Sequence, residues 1–161
     1  YVDVSVHPVL PGRWGWMGVH VHQPWDQQVI WKAHGIDEVL REAWDRGIVL
    51  GGASAGSLCW FEEGTTDSRP KELSKIECLG FLKGSHSPHY DAEEDRRPTY
   101  HRLIKSGELK PGYACDNDAG IYFQDNEVAQ VVRTREDANA YYVDLQDGEI
   151  IETKFEADMI D

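Results

Sequence analysis

Gly52-Ala53-Ser54-Ala55-Gly56 places a serine between glycines in a G-x-S-x-G pattern. A serine hydroxyl attacks a carbonyl only when it is lifted clear of the backbone, met by a base, and faced by N–H donors that take up the developing oxyanion. The pattern serves the first and third needs. Only small residues fit around so sharp a turn, Ser54 is left standing at its tip, and the next N–H, that of Ala55, points toward the incoming carbonyl. The chemistry on offer is acyl transfer through a serine ester. A plainer reading is a small-residue turn that lets a strand and a helix pack closely. Context favours the chemical reading, because Ile48-Val49-Leu50 reads as a short buried strand before the turn and Ser57–Phe61 as the start of a helix after it.

The serine needs a base and the base an orienter. Seven histidines compete. His89, in Ser87-Pro88-His89-Tyr90-Asp91, follows the strand-like run Leu79–Leu82 and sits in a Pro-fixed turn from which a loop side chain can meet Ser54. His86 lies three residues earlier, and His101 reads as a surface residue of a helix. Asp67, Asp116 and Asp118 are the candidate acids. A Ser…His…Asp chain order differs from the Ser…Asp…His order of α/β-hydrolases, so the choice of acid also separates two architectures. Arg96 and Arg97, shortly after His89, suit an acidic substrate side chain, although solvated helix-entry charges account for them equally. His20 and His22 share one face of a strand and could grip a metal with His34 or Asp26. Two ordinary histidines in a Trp-rich packing segment explain them more simply, and no metal site is expected. Cys59 reads as a buried, inert thiol.

The elements that must carry these residues follow from periodicity. Asp37 can cap a helix running to about Asp45, with Val39, Leu40, Ala43 and Trp44 on one face and Gly47 as its stop. Helix, strand, tight turn and helix in succession predict a parallel sheet covered by helices. A second helix fits Pro98–Ser106. Strands are expected at Met17–Val21, Gly112–Cys115, Gly120–Phe123, Val128–Arg133, Ala140–Leu145 and Glu149–Phe155, with Asp147-Gly148 as a hairpin turn between the last two. The whole chain, 1–161, reads as one α/β domain, since domains cluster near roughly 100–200 residues. Residues 1–30 are atypical: most of the tryptophans and histidines crowd into the first 35 positions, among Pro8, Pro11, Gly12 and Gly15.

Composition narrows the partners. The net charge of −13, with −10 of it in residues 111–161, opposes binding to a nucleic-acid backbone or an anionic membrane. Three cysteines without CxxC spacing support neither a disulfide framework nor a thiolate zinc site. No apolar run reaches the roughly 18–20 residues of a membrane helix, and no signal peptide is recognised, so a cytoplasmic protein is expected.

Taken in order, Gly52–Ser57 with Cys59-Trp60-Phe61, Thr65-Thr66-Asp67-Ser68, Ser87-Pro88-His89-Tyr90 and Gly112–Gly120 resemble the peptidase E (aspartyl dipeptidase) family of serine peptidases, from about Trp31 onward. The resemblance implies a class I glutamine-amidotransferase-like α/β fold, ending here in a C-terminal β-hairpin. It implies Ser54 as nucleophile, His89 as base, Asp118 as the favoured acid with Asp67 second, no cofactor, and small peptides with an acidic N-terminal residue as substrates. Relative to the family the N-terminal region is shortened or rearranged. The segment Val19–Gln28, in place of a Gly-rich loop that supplies part of the oxyanion hole, contains no glycine, so slow turnover is expected. Self-association is expected too, to cover an exposed sheet edge. The competing expectation is a weakly active or inert homologue that serves as a binding or assembly module.

Overall fold

Strong cross-strand apolar pairing and a few tight turns build most of the molecule around one mixed sheet. The computed structural model describes residues 3–6, 16–20, 31–67 and 73–160. Along the chain these form β1 (Asp3–Val6), β2 (Trp16–His20), α1 (Ile36–Asp45), β3 (Val49–Gly51), α2 (Ala55–Leu58), β4 (Phe61–Thr66), β5 (Ser74–Glu77) and β6 (Leu82–Pro88). There follow α3 (Arg96–Lys105), β7 (Gly112–Cys115), β8 (Ala119–Gln124), β9 (Glu127–Arg133), β10 (Ala140–Gln146), β11 (Glu149–Lys154) and β12 (Asp158–Met159).

The main sheet has the order β11-β10-β7-β6-β4-β5. Its centre is parallel, β4 on β6 and β6 on β7, while β5 and β10 flank it antiparallel and β11 closes a hairpin on β10. Two three-stranded sheets, β1-β2-β3 and β12-β9-β8, stand beside it. The sheet is therefore mixed rather than mostly parallel. Parallel pairing is confined to strands joined through longer connections, β8–β9 and β10–β11 are short hairpins, which can only pair antiparallel, and β10 returns antiparallel to β7 after the intervening β8–β9 hairpin.

Helix α3 packs Tyr100, Leu103 and Ile104 against Ala114 and Val143 of the sheet. A second cluster joins Trp31 and Leu40 to Trp60, Phe61, Phe81 and Leu82. Helix α1 buries Leu40 and Ala43 but leaves Val39 65% exposed, so the apolar face is narrower than the sequence pattern predicts. Gly35, not Asp37, occupies its N-cap, and Asp37 and Glu38 instead sit in the first turn, where a negative charge meets the positive end of the helix.

The helix expected through Phe61 is a single turn that ends at Leu58, and Phe61 already opens β4. Strand β4 is hard to recognise because it carries Glu63 and Gly64. Glu63 is buried, but it accepts the Lys110 N–H at 2.6 Å and pairs with Lys75 at 2.5 Å. A Cβ at Gly64 would stand 2.3 Å from the His86 carbonyl oxygen, so only glycine admits this approach. No helix among the described residues is long and apolar enough to cross a membrane. Trp14, Trp25, His22, Asp26, the segment 21–28 and Ser68 lie outside the described residues.

Candidate active site

Strand β3 delivers the chain to the Gly52–Gly56 turn. A Cβ at Gly52 would lie 2.3 Å from the Gly56 carbonyl oxygen, which explains the small-residue requirement directly. Ser54 sits at φ 56° and ψ −120°, a conformation that costs an L residue on the order of 1–3 kcal/mol and that is characteristic of a strained elbow. Its side chain is exposed, and Ala55 begins α2, so the Ala55 N–H is one of the first-turn donors that no helical carbonyl can reach.

The base comes from the end of β6. Pro88 closes that strand, and His89 turns out of it at φ 100°, its own N–H reaching the Cys115 carbonyl at 3.3 Å. His89 Nε2 lies 2.7 Å from Ser54 Oγ. Its Nδ1 lies 2.7 Å from Asn117 Oδ1. An amide oxygen only accepts, so Nδ1 carries the ring proton and the Nε2 lone pair faces the serine hydroxyl. That is the tautomer a general base requires.

Asn117 thus takes the place expected of Asp118. The Asp118 carboxylate turns instead to Arg135, with Nε donating to it at 3.2 Å. Asp116 is buried and accepts from the Asn139 backbone N–H at 2.9 Å and from its side-chain amide. Burial, with the Asp91 charge nearby, pushes its carboxyl above the usual range. Asp67 does not line the cavity that holds His89; it is exposed, with its carboxylate 3.7 Å from Arg96. Residue type alone points to a carboxylate at this position, and Asn117 is not one. The signal that finds Asn117 is position, the second residue beyond the β7 terminus, facing the turn that follows β6.

Arg96 and Arg97 do not line the pocket at Ser54. The Arg96 guanidinium is buried and held by Glu93, with Nε donating at 2.8 Å. Arg97 donates twice to Glu152 and lies over the ring of Tyr90, 4.9 Å from its centroid. Glu152 also accepts from the Tyr90 hydroxyl and faces His101 Nε2 at 2.8 Å. Burial alone would raise the Glu152 carboxyl, but Arg97, Tyr90 and His101 together hold it below the usual range.

His86 is buried close by. Its Nδ1 faces the Tyr113 carbonyl at 3.1 Å and its Nε2 faces Ser57 Oγ at 3.0 Å, while Ser57 Oγ also lies 2.7 Å from the Ser54 carbonyl. Burial pulls its pKa down to about 4, helped by the His89 and Arg96 charges. A cavity of about 460 Å³ opens over Ser54 and His89, walled by apolar side chains such as Trp44, Leu50 and Phe123 and by Asp116, Asp118 and Asp125.

A strained serine, a histidine at hydrogen-bond distance and a facing amide are an arrangement that can activate a hydroxyl for attack on a carbonyl. The model of peptidase family S51 matches residues 28–131, a span that includes Ser54, His89 and Asn117. The chain belongs to peptidase family S51. A similar protein, the uncharacterized peptidase YgaJ of Bacillus subtilis (strain 168), is 50% identical over 124 residues, 77% of this chain and 54% of that protein. The chain thus spans about half the length of this curated relative. Arg135, which ties down the Asp118 side of the site, falls outside the S51 match.

Proposed function

We propose that this protein is a serine-type peptidase of small peptides, built on a glutamine-amidotransferase-like scaffold. The observation that carries the reading is the 2.7 Å contact between His89 Nε2 and Ser54 Oγ on a strained elbow. His89 takes the hydroxyl proton as Ser54 Oγ attacks the peptide carbonyl, and the Ala55 N–H faces the oxyanion. The imidazolium then protonates the leaving amine, and a water deprotonated by His89 releases the acyl group and restores Ser54.

Asn117 keeps His89 in the correct tautomer but, as a neutral amide, lends no negative charge to the imidazolium. This supports the slow turnover expected from the sequence and keeps the binding-module reading in play. The described pocket lining carries three carboxylates, Asp116, Asp118 and Asp125, and no lysine or arginine. It therefore gives no support to an acidic N-terminal side chain, and neutral or basic dipeptides belong beside Asp-X dipeptides in any substrate panel.

A fluorophosphonate probe tests the reading. Rapid labelling that maps to Ser54 and vanishes in Ser54→Ala is the expected result. A native protein that stays unlabelled, or labels elsewhere, makes the chain a binding module instead.

A further inference from the structure

The loop that presents Asn117 to His89 is short and exposed, yet its amide must hold one rotamer for the site to work. The geometry points to Arg135 and Asp91 as positioning residues that clamp both backbone polar groups of Asn117 and so fix its amide oxygen against His89 Nδ1. This inference rests on the serine-peptidase reading for its consequence and on distances alone for its substance.

The Asn117 N–H donates to Asp91 Oδ1 at 2.8 Å, and the Asn117 carbonyl accepts from Arg135 Nη2 at 3.2 Å. The same Nη2 donates to Asp91 Oδ2 at 2.5 Å, closing a ring through both residues. Arg135 Nε holds the next residue, Asp118, which sits at φ 67°, and Nη1 is anchored on Asp137 at 2.6 Å. One guanidinium fork therefore fixes Asn117, Asp118 and the Asp91 carboxylate together. A planar five-donor group can do this, and a lysine cannot reproduce it. Asp91 is two residues after His89, so the clamp ties the base's own turn to the loop that orients the base. Because Arg135 remains 37% exposed, its pairs are screened by water and contribute little to global stability. Their effect is on placement, where an error of about 1 Å can cost on the order of 10²-fold in rate.

The experiment uses the full chain with Arg135→Gln, Arg135→Lys and Asp91→Asn, each also combined with Asn117→Ala. Two readouts are taken: the rate of fluorophosphonate labelling, and the NMR signal of the His89 Nδ1 proton, which needs no activity. Arg135→Gln is expected to broaden or abolish the Nδ1 proton signal and to slow labelling roughly 10- to 100-fold with the melting temperature nearly unchanged. Arg135→Lys should rescue little of either. In the Asn117→Ala background the same substitutions should have no further effect, because the clamp acts only through that amide. An unchanged Nδ1 signal in Arg135→Gln overturns the inference, as does an equal loss of labelling rate with and without Asn117. If the native protein fails to label at all, the peptidase reading falls, while the NMR comparison still decides the clamp. Should Arg135→Gln fail to fold, Asp91→Asn, which removes the carboxylate charge from the ring, carries the same comparison.

Discussion

His86 and His89 belong to the same stretch of chain, three residues apart, and the fold gives them opposite surroundings. His86 is 3% exposed, stacks on Phe61 with ring centroids 4.8 Å apart, and has both ring nitrogens engaged. His89 stands beyond Pro88 at a positive φ, its imidazole between an exposed serine and an exposed asparagine. Burial fixes the first as a neutral ring: the Tyr113 carbonyl can only accept, so Nδ1 bears the proton, and Nε2 and the Ser54 carbonyl both face the single Ser57 hydroxyl proton. The second is left with one nitrogen facing the serine hydroxyl and the other facing the amide. Keeping His86 neutral also spares the site a second positive charge when His89 becomes imidazolium. In the proposed mechanism the same residue type serves packing in one place and chemistry in the other, and the turn at residue 89 separates them.

Substitution at each position should break the pair in opposite ways. His89→Ala is expected to slow labelling of Ser54 by roughly 10²–10⁴-fold while the melting temperature stays put. A variant that melted early with its labelling intact would exchange the two assignments. His86→Ala should do the reverse, costing about 2–4 kcal/mol in chemical denaturation through a cavity and the loss of the ring's buried hydrogen bonds, with the folded fraction still reactive.

The contrast sharpens with pH. The folded-state pKa of His86, about 4, lies below its ordinary 6.5, so between those values the unfolded chain holds a proton that the folded chain lacks. Stability supplied by the neutral ring is present above pH 6.5 and is lost as pH falls toward 4, by on the order of 3 kcal/mol. Denaturation midpoints of the native protein should therefore decline across that window more steeply than those of His86→Ala. Parallel curves would show that His86 does not titrate with unfolding.

The smallest effects belong to the facing amide and the acids. Asn117→Ala should slow labelling roughly 10- to 100-fold, Asp118→Asn less than that, and Asp67→Asn hardly at all, its only described partner being an ion pair 3.7 Å away across an exposed surface. If Asp118→Asn proved the more damaging of the first two, the orienter would have to be Asp118 in some other loop arrangement.

Ser54 and His89 were readable in the sequence because each demand leaves a mark: a sharp turn excludes large residues, and a proline pins the strand end before the base. Asn117 left no such mark. A search by residue type looks for a carboxylate, whereas the position needs only an acceptor at the right distance. The strands after Gly112 were equally legible, since period-two alternation and Asp147-Gly148 announce them. Strand β4 was not, because Phe61-Glu62-Glu63-Gly64 breaks the apolar pattern and is made tolerable only by Lys75, the Lys110 N–H and a close backbone approach, none of which is local in sequence.

The three thiols give the molecule a property unrelated to its chemistry. Cys59, Cys78 and Cys115 are all buried and outside any disulfide, and Cys59 Sγ donates to the Gly56 carbonyl at 3.2 Å. Burial pushes the Cys115 thiol up to about 12 and raises Cys59 as well, so neither forms appreciable thiolate at neutral pH while the fold is closed. Alkylation must then wait for a local opening, and its rate becomes a clock for that event. The residues sit at three separate places: one turn beyond the elbow, just past β5, and at the end of the strand that leads to Asn117. The three alkylation rates, resolved by mass, would show which part of the molecule breathes first.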